Sequence, residues 1–326
     1  MKGGAQMSCE NKEKLHRTSI GGQAVMEGVM MRGPHKIATA VRKPDGEIII
    51  DEQPIGKVRS GKFVKLPIIR GCVNFFDSMI IGIKALMFSA KFFDVDEDGT
   101  PKEEEPSKFE KWLEEKLDSE KAMNVVLYIS AILSIFLSVG LFILLPGAIG
   151  EIIRPFINSN ALVTLVEGII RISIFIVYLG LVSRMKEIKR VFMYHGAEHK
   201  TIHCYEHGEE LTVENVRKHT RLHPRCGTSF LLIVMVVSML IFFLIPDMFF
   251  VYRLLLRLAL LPIVAGLSYE IIKFAGRHDN KFTRIISAPG MWFQNITTNE
   301  PDDSMIEVAI ASIKAVIPEN KEEDKW

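Results

Sequence analysis

Apolar residues in this 326-residue chain are gathered into long, nearly uninterrupted blocks. Residues 123–146 (MNVVLYISAILSIFLSVGLFILLP) and 228–245 (TSFLLIVMVVSMLIFFLI) carry no charge and are long enough to span a bilayer as helices. Blocks 161–182 and 254–275 keep that length, but one contains Glu167 and Arg171 and the other Arg257, Glu270 and Lys273. Glu167 and Arg171 stand four apart on one helical face, which predicts a structural ion pair between them. Arg257 and Glu270, near opposite ends of their block, are expected to snorkel.

Outside these blocks the periodicities change. KIATAVRK and EIIIDEQ flank Pro44-Asp45-Gly46, the turn chemistry of a β-hairpin. Residues 18–34 (TSIGGQAVMEGVMMRGP) hold four glycines and one acid, Glu27, and read as a glycine-rich loop that packs Glu27 against some other surface. Residues 67–93 form an apolar helix with a narrow polar stripe of Arg70, Asn74, Asp77, Ser78 and Lys84, a pattern that suits the membrane interface better than a fifth span. Residues 94–106 (DVDEDGTPKEEEP) read as an acidic linker, and Phe109, Trp112, Leu113 and Leu117 as the apolar face of a surface helix. The tail reads as a loop, SAPGMWFQNITTNEPDD, followed by a short helix, MIEVAIASIKAVI. The expected fold is mainly α: a polytopic membrane protein with about four transmembrane helices, a small N-terminal β-hairpin and an amphipathic helix. Its expected divisions are 1–93, 94–122, a transmembrane region 123–275 with a histidine-rich connection 183–227, and a tail 276–326.

Composition agrees, with 48% hydrophobic residues and a mean hydropathy of +0.20. Nine Lys and Arg fall in the connection 183–227, against only Arg154 in 147–160 and only Arg253 in 246–253, so the connection and both termini are expected in the cytoplasm. The first twenty residues are polar, without the apolar core of a signal peptide. The four cysteines show no CxxC pairing, and a cytoplasmic location keeps them reduced. The net charge of +1 favours no class of partner, and no nucleic-acid motif is present.

The candidate chemistry lies in Tyr194-His195-Gly196-Ala197-Glu198-His199-Lys200, the His-x-x-Glu-His order of a metal-dependent hydrolase. On a helix, His195 and His199 share one face within reach of one cation, and Glu198 flanks them as a base for the attacking water. Six of the nine histidines and two of the four cysteines lie between positions 195 and 226. For a third ligand, His223 is preferred and Cys226 follows, because they approach from another segment. His203 has turned about 80° from His195 around a helix, and Glu206 lies about 10 Å along the axis from His199. Glu27 is a further candidate, as ligand or orienter. A straight helix would carry His195 about 18 Å beyond Ser183, while His223 is close to the next span. Either the helix bends near Lys189 and Arg190, or residues 223–227 reach outward.

GGQAVMEGVMMRGP, YHGAEHKTIHCYE and HPRCGTSF together resemble the YqhQ-like family of bacterial membrane proteins, a domain of unknown function described as a predicted metal-dependent enzyme. The resemblance runs from about Ile20 through PGMWFQ and TTNEP. It implies a bacterial plasma-membrane protein with a metal site drawn from His195, Glu198, His199, Glu206, His223 and Cys226, and it implies no substrate. Three functions remain open. The first is a zinc hydrolase at the cytoplasmic membrane face, acting on a lipid-linked or membrane-bound substrate. The second is a non-catalytic scaffold whose histidines hold a structural metal or a partner. The third is a transporter, which ranks last because only Glu167 and Arg171 qualify as polar residues within the spans.

Overall fold

The computed structural model describes residues 16–55, 66–93, 119–157, 159–246, 248–278 and 280–325. Four strands, β1 (Gly21–Val25), β2 (Gly28–Arg32), β3 (Lys36–Arg42) and β4 (Ile48–Pro54), pair as an antiparallel meander in the order β1-β2-β3-β4. The β3–β4 hairpin turns where expected, with Gly46 at φ 89° and the Asp45 carboxylate accepting the Glu47 amide N–H at 3.0 Å. The glycine-rich segment expected as a loop is instead the β1–β2 hairpin, with Glu27 in its turn at φ 48°. Glycine hides a strand in the sequence because it lowers β-propensity. Gly22 nonetheless serves a close approach: a Cβ there would stand 2.5 Å from the Met30 carbonyl oxygen and 3.0 Å from the Glu198 carboxyl carbon.

The helices are α1 (Ile69–Phe93), α2 (Ser119–Val139), α3 (Leu145–Ile153), α4 (Asn160–Val182), α5 (Lys186–Glu206), α6 (Val213–Lys218), α7 (Gly227–Phe243), α8 (Phe250–Arg277), α9 (Lys281–Thr297) and α10 (Asp303–Val316), with a π-helical turn, Gly140–Leu144, joining α2 to α3. The sheet is covered on both faces. Val29, Met31, Ala38 and Ala40 join Tyr194, Ala197 and Ile202 of α5 and Met305, Ile306, Ala309 and Ile313 of α10 in the main core. Val25, Met30 and Val41 face the other way, onto Ala85, Ile81 and Phe88 of α1. An N-terminal sheet, a central helix and a C-terminal helix therefore share one core across the divisions drawn from the sequence. The chain ends join it too: buried Asp324 accepts from the Thr18 hydroxyl at 2.5 Å and from the Tyr205 hydroxyl at 3.0 Å, and lies 2.8 Å from His16 Nε2.

Among the described residues, four helices are long and apolar enough to cross a membrane: Ile69–Phe92, Ile132–Phe156, Asn160–Val182 and Phe250–Arg277. The set differs from the expected one. The first expected block lies within α2, the π-helical turn and the start of α3, and α1 also qualifies by length and composition. The expected span at 228–245 is the 17-residue helix α7, about 26 Å long at about 1.5 Å per residue. The acidic linker and the surface helix expected over 94–117 lie outside the described residues.

Charges within the apolar helices find partners on other helices. Glu167 pairs with Arg257 of α8 at 2.6 Å, not with Arg171, and Arg257 is buried instead of snorkelling. Arg171 donates to the Phe142 carbonyl at 2.9 Å and to the Ser238 hydroxyl at 3.2 Å. Glu270 takes both arms of Arg70, with the Nε contact at 2.6 Å. Spacing along one helix cannot reveal such partners, which depend on how helices pack. The tail also differs from expectation, because Ser287–Thr297 is helical, not a loop. An Asn280–Thr283 capping box starts α9, and Gly290 lets it close onto Ser229 of α7, where a Cβ would collide. That packing outweighs the turn signal of Pro289-Gly290.

Gly196 sets α5 against the following chain, where an added Cβ would run into the Asn299 carbonyl oxygen. Gly196→Ala is expected to destabilise the protein by about 1–3 kcal/mol through overpacking, read as a lower thermal midpoint in detergent; an unchanged midpoint would contradict this contact. Glu167→Gln leaves the buried Arg257 charge unpaired and is expected to cost roughly 3–5 kcal/mol. Adding Arg257→Gln should recover most of that loss in the same melting assay.

Candidate metal centre

Helix α4 ends at Val182, and the chain turns at Ser183–Met185 into α5, which is helical through Glu206. The change of direction thus lies before Lys189 and Arg190, where the bend was expected. On α5, His195 and His199 are one turn apart with ring centroids 4.4 Å from each other. Residues 219–226 return to them from α6, and Cys226 is the N-cap of α7, its sulfur accepting the Thr228 amide N–H at 3.4 Å. His195 Nε2 lies 3.2 Å from Cys226 Sγ. One donor atom from each of His195, His199 and Cys226 falls within 4.8 Å of the others.

Backbone carbonyls fix the tautomers. His195 Nδ1 is 2.8 Å from the Thr297 carbonyl oxygen and His199 Nδ1 is 2.6 Å from that of Arg221. A carbonyl only accepts, so each Nδ1 carries the hydrogen and each Nε2 is directed at the cluster, as in histidines that bind metal. His199 Nε2 is buried with no hydrogen-bond partner among the described residues. The carbonyls are themselves held: Arg221 donates to the Thr298 carbonyl at 2.5 Å and to the Thr298 hydroxyl at 2.7 Å. Gln294, fully buried, accepts the His223 amide N–H and donates to the His223 carbonyl, each at 2.8 Å. Burial opposes ionisation of the Cys226 thiol, but the imidazoles of His199 and His195 outweigh it and hold the group well below the ordinary thiol range. Burial likewise disfavours charge on His195, yet the Cys226 sulfur and Glu198 carry its pKa up to about 9.

Glu198 is buried, and its Oε1 accepts the Gly22 amide N–H of β1 at 3.0 Å while Oε2 has no partner among the described residues. Burial raises its pKa above the ordinary carboxylate value against the pull of His195 and His199. Glu198, His199 and Cys226 line a cavity of about 360 Å³ roofed by β1 and walled by α1, α7 and α8. The donor set is thus open on one side.

The other sequence candidates fall elsewhere. His223, preferred above Cys226 as third ligand, groups with His203 and Glu206 instead. That second group is already satisfied: Glu206 accepts the Thr18 amide N–H at 2.9 Å and pairs with Arg225, while His203 Nε2 lies 2.9 Å from the Leu222 carbonyl oxygen. The Arg225 guanidinium stands where a cation would be needed. His223 still lines the cavity, its ring centroid 5.6 Å from that of His199. Glu27 joins neither group, because Arg190 binds it through two contacts of 2.6 and 2.5 Å and Tyr194 adds its hydroxyl at 3.2 Å. Cys204, Glu209 and His219 form a third group, with His219 Nε2 already 3.2 Å from the Glu209 carboxylate. Sequence reasoning passed over Gly22, Arg221, Gln294 and Thr297. Gln294, an amide within an apolar helical stretch, carried the one usable signal, since backbone donors and acceptors leave none.

The family model described as "Protein of unknown function (DUF1385)" matches residues 66–319. The chain is 36% identical over 301 residues to "Uncharacterized protein YqhQ" of Bacillus subtilis (strain 168), an alignment covering 92% of each chain. No solved structure matches it. With most of its length matched by that family model and by this relative, the chain belongs to the DUF1385 family.

Proposed function

We propose that the protein is a membrane-embedded, metal-dependent hydrolase whose centre lies at the cytoplasmic face of a bacterial plasma membrane. The observation that carries this reading is the pair of buried imidazoles whose Nδ1–H groups are anchored on carbonyls and whose Nε2 atoms converge with Cys226 Sγ beside a cavity. Two nitrogens and a thiolate suit zinc, and three protein donors with an open side are the pattern of catalytic, not structural, zinc. The same open side weighs against the scaffold reading. The bound cation would polarise the scissile carbonyl or phosphoryl group as a Lewis acid.

The remaining steps belong to the chain. Glu198 Oε1 is tied to Gly22, which leaves Oε2 to take a proton from the attacking water and return it to the leaving group. Its raised pKa moves it towards the working pH and improves that exchange. The apolar walls keep bulk water from the centre. Orientation follows from the basic connection around α5 and from α1, whose first turn meets α8 at Gly266 while its later turns lie on the sheet. On this reading both ends of α1 stay on the sheet's side although its length would allow a crossing, and α2–α3, α4, α8 and the shorter α7 are taken as the four crossings, with both termini cytoplasmic.

Zinc measured per purified chain should be near one in wild type and should fall sharply in His199→Ala and Cys226→Ser. Glu198→Gln should retain the metal but lose about 10²- to 10⁴-fold in turnover of a model ester. A metal-free wild type purified without chelators would falsify the reading. Metal affinity carries a signed pH dependence. His195, protonated below about 9 when no cation is bound, must release that proton to coordinate. Zinc affinity, read by competition with a chelator, should therefore rise about tenfold per pH unit from 7 towards 9.

A further inference from the structure

The cavity at Glu198 adjoins a second recess of about 500 Å³, the two sharing Ser19, Arg32, Asn74, Ser78, Tyr269 and Ile272 as common walls. Their chemistry differs. The chamber at the centre is flanked by apolar side chains, among them Phe75 and Phe230 with ring centroids 5.8 Å apart, together with Met30 and Ile81. The outer recess is lined by Lys273 and Arg277 from the end of α8, by Lys325 from the C-terminal segment, whose ammonium also pairs with exposed Glu322, and by Arg32 from β2, and no carboxylate lines it among the described residues. Basic residues at a helix C-terminus are ordinary, since they complement its dipole. Here, however, the cations come from three separate segments and face one space. Asn74 and Ser78, one turn apart on α1, add polar groups at the junction between the two chambers.

We propose that the basic recess is the headgroup subsite for the substrate of this centre, an amphiphile bearing a phosphate-type anion. The anion is a recognition group held by Lys273, Arg277 and Lys325. The bond to be cleaved lies one chamber inward, beside Glu198, and the hydrocarbon portion runs along Phe75 and Phe230. This deepens the hydrolase reading by naming its substrate class. Binding of the anion requires neither the cation nor the base, so the two ideas fail separately.

The test is equilibrium binding to the full chain in a maltoside detergent, with dodecyl phosphate, dodecyl maltoside and inorganic pyrophosphate as probes. Dodecyl phosphate should bind, and Lys273→Gln/Arg277→Gln should weaken it about tenfold or more, the scale of lost charge-assisted contacts. Exposed Lys325→Gln should give a smaller loss with an unchanged melting temperature, which keeps the test valid if the double variant folds poorly. Glu198→Gln and His199→Ala should bind dodecyl phosphate like wild type even where turnover or metal is lost. Equal binding of dodecyl maltoside, or indifference to Lys273→Gln/Arg277→Gln and Lys325→Gln, would overturn the headgroup subsite. Pyrophosphate binding as tightly as dodecyl phosphate would overturn the amphiphile and point to a soluble anion.

Discussion

Two carbonyl oxygens, those of Thr297 and Arg221, determine what the histidine pair can do. By accepting the Nδ1–H groups of His195 and His199, they direct both Nε2 atoms into a buried space. A buried lone pair without a donor costs free energy unless something takes it up. At His195 the Cys226 sulfur stands opposite, while His199 Nε2, in the same group, has no hydrogen-bond partner among the described residues. The surrounding architecture maintains this arrangement. Gly196 lets α5 touch the backbone at Asn299, Arg221 ties its segment to Thr298, and Gln294 clips the chain at His223. Each contact holds a ring or a carbonyl in place without touching the reactive space.

The sheet contributes in a different way. β1 closes the cavity from above, and its Gly22 amide orients Glu198, so a strand far from α5 in sequence places the two oxygens of the carboxylate in different surroundings. Covering both faces of the sheet, by α5 and α10 on one side and α1 on the other, leaves β1 little freedom to drift. The second histidine group, with Glu206 held between Thr18 and Arg225, works as a buried ionic brace beneath the roof.

Features written in local spacing were legible in the sequence. His195 and His199 sit four apart on a helix, Asp45-Gly46 makes its turn, and the apolar blocks declare themselves by length. Features that depend on a distant partner were not. Arg257 takes Glu167 away from Arg171 because α8 packs beside α4, and Cys226 displaces His223 from the first group because the N-cap of α7 aims its sulfur inward. The strand pair around Glu27 was hidden by its glycines, and helix α9 by Pro289, whose local signal is outweighed by the packing of Gly290 on Ser229. Main-chain anchors such as the Gly22 amide belong to no residue type and are invisible until the fold brings them together.

The knot at Asp324 carries a consequence for biogenesis. Its partners His16, Thr18 and Tyr205 are synthesised long before it, and α10, which completes the main core, also emerges after the apolar helices. A ribosome releasing this polypeptide therefore delivers the apolar helices first and finishes the chamber beneath the sheet last. Nascent chains that stall short of residue 303 lack the helix that braces the sheet roof, so the histidine cluster and its cavity are completed only in the final stretch of translation.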